Sequence, residues 1–176
     1  MRWRITIAIL LSLPATEASA EFSIPCLWKP FGGCSVTFVS PEYAAKPVQP
    51  LNPQTALAEI NVFRVKNGRR ALVLDERLSR AAAMQSEDQA TRNSGGHYGS
   101  DGSKPMDRAA RAGYHAKIAS ENVAAGQKSF SDVMHYWEGS PGHRENLLRP
   151  NVSAIGVAMA KAGSGRAYWT LVLGAE

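Results

Sequence analysis

The apolar pattern of this chain changes period once, and late. Ala56, Ile60 and Phe63, then Leu78, Ala82 and Gln85, then Val133, Met134 and Trp137 all recur at helical spacing. From Ile155 onward the period is two. Ile155, Val157 and Met159 alternate with smaller residues, and Trp169, Leu171 and Leu173 alternate with Tyr168, Thr170 and Val172. The polar, glycine-containing run Lys161 to Arg166 between them reads as a hairpin turn. Helices first and a β-hairpin last, with a further strand near Ile118 to Val123, predict an α+β fold and exclude a series of βαβ units. At 176 residues there is room for one domain with short appendages.

Start and stop signals bound the helices. Asn52-Pro53 opens the first and Asn67-Gly68 ends it, while the second begins at Asp75, runs through Ala81-Ala82-Ala83 and stops at Ser94-Gly95-Gly96. Pro105 to Ala112 forms a short third, closed by Gly113. Ser129 or Ser131 caps a fourth, and Ser140-Pro141 caps a fifth leading to Leu147 and Leu148. Trp137, Trp169, Tyr168 and Tyr114 are assigned to the core and cleft walls.

Residues 1–20 have the form of a signal peptide. Arg2 and Arg4 precede an apolar stretch from Ile5 to Leu13, and Ala18-Ser19-Ala20 supplies the small-x-small cleavage pattern. The alternative, an uncleaved anchor, requires a longer apolar run than this one. Removing Arg2, Arg4 and Glu17 leaves 18 basic and 14 acidic residues, a net charge of +4 against +5 for the whole chain. With no concentrated Lys/Arg run, nucleic acid is not an expected partner. The mature chain is expected to be a monomer without a transmembrane span, located in the periplasm or secreted. Residues 21–50 carry five prolines and no periodic pattern, which describes an irregular arm. In an oxidising compartment Cys26 and Cys34 within it can close a disulfide; free thiols are the alternative.

Of the four histidines, His115 and His135 sit in ordinary surroundings. His97 lies in the loop Gly95-Gly96-His97-Tyr98-Gly99-Ser100-Asp101-Gly102, whose small residues let a side chain line a cleft. His143 follows Ser140-Pro141-Gly142 in a helical first turn, where the positive end of the helix dipole favours a neutral ring. Glu121 is the only acid between Asp107 and Asp132 and interrupts a small, apolar stretch. Buried there, it would need a donor, and histidine is an obvious one.

The ordered set Asn61-x-x-Arg64 with Gly68, Leu74-Asp75-x-x-Leu78, the His97 loop, Glu121-Asn122-Val123-Ala124, Trp137-x-x-Ser140-Pro141-Gly142-His143-Arg144-x-Asn146-Leu147-Leu148 and Ile155-Gly156-Val157 resembles the CAP superfamily. This group contains cysteine-rich secretory proteins, venom allergens and plant pathogenesis-related proteins; the likeness is to its short bacterial type. It runs from about Leu51 to Gly174, so residues 51–176 would form the domain. The resemblance implies an α-β-α sandwich around a small antiparallel sheet, with a cleft holding two histidines and two glutamates. His97, Glu121 and His143 match three of these, and Ser140 stands at the position of the second glutamate. Asn61, Arg64, Arg144 and Asn146 would brace the fold and the cleft rim.

Two imidazoles and a carboxylate can hold Zn with an open fourth position, but the glutamate that could act as general base is missing. Three readings follow. The first is an exported binding module for a lipid, envelope component or peptide. The second is a metal-dependent hydrolase of peptidase or esterase type using His97, Glu121 and His143. The third is a structural or interaction domain. A Ser140-His143-Glu121 relay is a sharper variant of the second, opposed by the expected duty of Ser140 as a helix cap.

Overall fold

The computed structural model describes residues 23–25, 35–37, 42–43 and 46–176. Residues 1–20, expected to be a signal peptide, and both cysteines, Cys26 and Cys34, lie outside these. Two compact units divide the chain at Lys46/Pro47. In the first, β1 (Ser23–Pro25) pairs antiparallel with β2 (Ser35–Thr37), two short strands that the proline-punctuated sequence does not suggest. No helix among the described residues is long and apolar enough to cross a membrane.

The second unit, Pro47–Glu176, holds α1 (Pro53–Lys66), β3 (Val73–Leu74), α2 (Glu76–Arg92), α3 (Pro105–Arg111), β4 (Ile118–Ala125), α4 (Phe130–Gly139), α5 (Pro141–Leu147), β5 (Ala154–Lys161) and β6 (Ala167–Ala175). Helix α1 starts where the sequence signals it. Asn52 Oδ1 accepts from the main-chain N–H of Gln54 and Thr55, and Pro53 needs no partner for a nitrogen that carries no proton. Asp75 caps α2 in the same way. Ser129 rather than Ser131 caps α4, in a reciprocal box with Asp132.

The strands order as β3-β5-β6-β4. Three run antiparallel as the resemblance implies, but β3 adds parallel to β5 through Val73↔Ala154 and Leu74↔Ile155, so the sheet is mixed. A two-residue strand is too short to leave an alternating signature, which is why the sequence shows only the antiparallel part.

Period two sorts β6 between two layers. Trp169, Leu171 and Leu173 face α1, α4 and α5 and pack with Ile60, Met134, Trp137 and Leu147. Val172 faces the other layer with Leu78 and Ala82 of α2 and Ala109 of α3, and Tyr168 packs there against Ala90. At Gly156 of β5 the helix α2 main chain comes so close that a Cβ would land on Leu78 and Ser79. Glycine is required there for contact between helix and strand, not for turn geometry. The fold is thus an α-β-α sandwich with β4 at the open edge of its sheet.

Two polar residues of α1 tie it to neighbouring loops. Arg64 is fully buried and donates to the carbonyls of Arg70, Leu147 and Arg149. Asn61 exchanges two bonds with the Leu72 main chain, at 2.9 and 2.8 Å.

Candidate functional site

The site is built around two adjacent residues on β4. Successive strand side chains point to opposite faces, so Glu121 reaches into the α2/α3 layer while Asn122 reaches towards α5. Each engages one of the two cleft histidines.

On the α2/α3 side, His97 Nδ1 lies 2.9 Å from Glu121 Oε1, and Arg108 Nη2 donates to Glu121 Oε2 at 2.7 Å. The carboxylate is 1% exposed and the guanidinium 3%, whereas the His97 ring is half exposed. Arg108 also donates to the main-chain carbonyls of His97 (3.1 Å) and Ser103 (2.7 Å). One side chain therefore holds both ends of the His97 loop and the carboxylate that meets the His97 ring. Glu121 raises the pKa of His97, chiefly through their hydrogen bond; burial and the Arg108 charge oppose it less strongly.

On the α5 side there is no acid. Asn122 Nδ2 donates to the His143 carbonyl at 2.9 Å, and Asn146 Nδ2 donates to Asn122 Oδ1 and to the Glu121 carbonyl. His143 Nδ1 lies 2.9 Å from Ser140 Oγ, and its ring centroid stands 5.4 Å from Tyr136 and 6.5 Å from Trp137. Burial first, and the charge of His97 second, lower the His143 pKa. The neutral ring expected from the sequence is favoured, but desolvation leads.

Three expectations need correction. Ser140 occupies the N-cap position of α5 by its main-chain angles, yet its hydroxyl makes no cap bond; it turns to His143 instead. Glu121 is not served by histidine alone, because Arg108 supplies its most buried partner. Sequence reasoning missed Arg108, although an arginine on the Arg108-Ala109-Ala112 face of α3, otherwise made of small apolar residues, was a legible sign. Finally, the Ser140-His143-Glu121 relay is not assembled: serine and histidine meet, but the carboxylate is bound to His97 and Arg108.

The same spending of Glu121 bears on Zn. Both its oxygens are engaged, and among the described residues no group of three His, Cys, Asp or Glu side chains is placed to hold a metal ion. The set His97, Glu121 and His143 does not fit a metal as it stands, because Glu121 Oε1 is paired with the His97 ring, Oε2 with Arg108, and the three side chains do not converge on one position. His115 and His135 are exposed and stand outside the site.

A groove of about 320 Å³ lies along β4 beside this site, lined by none of its three residues. Tyr136, which packs on His143, forms one wall, Gln89 and Gly95 another, and Val123 to Ala125 the floor.

An α-β-α sandwich with a histidine-glutamate cluster at the sheet edge defines a class, and the comparisons identify it. Residues 57–173 match CAP, the cysteine-rich secretory protein family, and the chain belongs to that family. It is 38% identical over 110 residues to the protein YkwD of Bacillus subtilis, a match spanning 62% of this chain and 42% of that protein. The chain thus spans less than half the length of this curated relative. Among solved structures, an outer surface protein of Borrelia burgdorferi superposes with a TM-score of 0.64 at 22% identity, covering 69% of this chain and 90% of that one. An extracellular SCP-domain protein of Bacillus anthracis superposes at 0.63 and 22% identity, covering 73% and 45%. These two likenesses show the fold.

Proposed function

We propose that this protein is an extracytoplasmic binding module whose cleft, formed by His97, Glu121 and His143 at the β4 edge, holds a lipid, envelope component or peptide without transforming it. The signal-peptide pattern of residues 1–20 supports export, and the solved neighbours described as outer-surface and extracellular agree with that location. The observation that carries the reading is the state of Glu121. Its carboxylate is neutralised by a buried arginine and leaves no free base beside either histidine. Both imidazoles have Nδ1 engaged, so each can present only Nε2 to a ligand. Two such groups beside aromatic walls suit recognition better than nucleophilic attack. A metal-dependent hydrolase using the same three residues would first have to free Glu121 Oε1 from the His97 ring.

The test is to titrate the protein with envelope lipid vesicles, soluble glycan fragments and peptides while following the His97 and His143 ring resonances. Saturable shifts in both rings with no turnover are expected. Metal-dependent turnover that disappears in His143→Ala would overturn the reading.

A further inference from the structure

We propose that the groove beside the histidine cluster takes an extended peptide strand, which pairs with the open edge of β4 and sets a carboxylate on Arg166; this names a ligand class for the binding module and rests on that reading.

Three independent features converge on it. The first is the main chain of β4. Gly126 N–H donates to the Ala167 carbonyl, and alternation in an antiparallel ladder then turns the main-chain groups of Glu121, Val123 and Ala125 away from β6. Side chains confirm that direction, for Trp137 Nε1 donates to the Val123 carbonyl and Asn146 Nδ2 to the Glu121 carbonyl. That leaves the Val123 N–H and both main-chain groups of Ala125 facing the groove, a template for one added strand.

The second is a pair of buried acceptors. Gln89 is fully buried, and its Nε2 is committed to the Gly96 carbonyl at 2.7 Å. A carbonyl can only accept, so the amide orientation is fixed; Gln89 lines the groove, and its Oε1 lies just beneath the surface without a partner among the described residues. Gln127 lines the same groove, and its Oε1 is likewise buried and unpartnered among the described residues. Buried acceptors of this kind call for a ligand that donates, as peptide N–H groups do.

The third is charge. Arg166 is exposed at the groove wall, 5.7 Å above the Tyr168 ring, and takes no part in any ion pair among the described residues. A planar guanidinium pairs bidentately with a carboxylate. A lipid chain would satisfy neither the edge nor the acceptors, so a peptide is the occupant that uses all three.

The experiment titrates the ¹⁵N-labelled protein with a blocked five-residue Thr/Val peptide bearing a central glutamate, its glutamine counterpart, and a main-chain N-methylated analogue. The acidic peptide should give saturable shifts at the Val123, Ala125 and Gln127 amides. Arg166→Gln should weaken it about tenfold, roughly one charge-assisted contact, while leaving the glutamine peptide unchanged. N-methylation should abolish binding. Equal binding of the N-methylated analogue, or equal affinity of both peptides, overturns the proposal. So does a peptide that shifts nothing at β4. If vesicles or glycans then still move the His97 and His143 rings, the binding-module reading stands without the peptide; if no ligand moves them, both fail.

Discussion

The two halves of the cleft hold their histidines in opposite ways. On the α2/α3 side, His97 is an exposed ring tied to a buried, fully paired carboxylate. On the α5 side, His143 is a more sheltered ring tied to a neutral hydroxyl. Strand β4 separates the two and supplies an anchor to each from consecutive residues. The difference shows that a pair of like residues in one cleft need not form a symmetric unit. One is poised to carry charge, and the other to remain neutral.

The contrast is broken most severely at Arg108. Replacing it with methionine leaves Glu121 buried without its main partner and should cost about 3–5 kcal/mol, read as a large fall in Tm. His97 loop amides should lose protection from hydrogen exchange at the same time. If Arg108→Met unfolds no more easily than the parent, the buried pair does not organise this half.

A second probe removes the charge and keeps the shape. In Glu121→Gln the main cause raising the His97 pKa is gone, while burial and Arg108 still lower it. The NMR titration of His97 should therefore drop below the ordinary histidine value. The His143 midpoint should rise slightly, because the His97 charge that helps to lower it is then lost.

The two rings should also leave opposite marks on stability against pH. His97, with a raised folded pKa, adds stability that is complete below the ordinary value of 6.5 and lost as pH rises through the higher folded value. His143, with a lowered one, imposes a cost that appears as pH falls from 6.5 through its folded value. Solvent screening of the half-exposed His97 keeps its contribution small. Tm measured against pH should show His97→Gln losing the acid-side gain and His143→Gln losing the acid-side cost. Matching profiles for the two variants would erase the distinction.

Smaller effects sharpen the picture. Ser140→Ala removes one neutral hydrogen bond and should cost about 0.5–1.5 kcal/mol in denaturant unfolding. Glutamine at His115 or His135, both outside the site, should stay within about 0.5 kcal/mol of the parent.

Much of this architecture was legible beforehand. The caps at Asn52, Asp75 and Ser129 and the alternation of β6 follow from local chemistry, so the helices and the hairpin could be placed. So could the gathering of His97 and Glu121, through the family's ordered motifs. Arg108 left a local sign, a charged residue on a small apolar helix face, but its partner was not legible, because that depends on a helix meeting a strand across a loop, and local spacing carries no record of it. The Ser140 hydroxyl was misread for a related reason. Both cap and histidine bonds satisfy serine locally, and only the tertiary position of the His143 ring decides between them.

Gly156 has a bearing on the cleft although it lies outside it. It seats the first turn of α2 against the central strand, and at the far end Tyr168 Oη donates to Asn93 Oδ1, 3.0 Å away, just past the helix. A rod fastened at both ends cannot slide, so the segment that follows it, from Ser94 to Lys104, springs from a stationary post. On the His97 side the hollow is therefore bordered by a segment moored twice more, where the Arg108 guanidinium grips the carbonyls of His97 and Ser103.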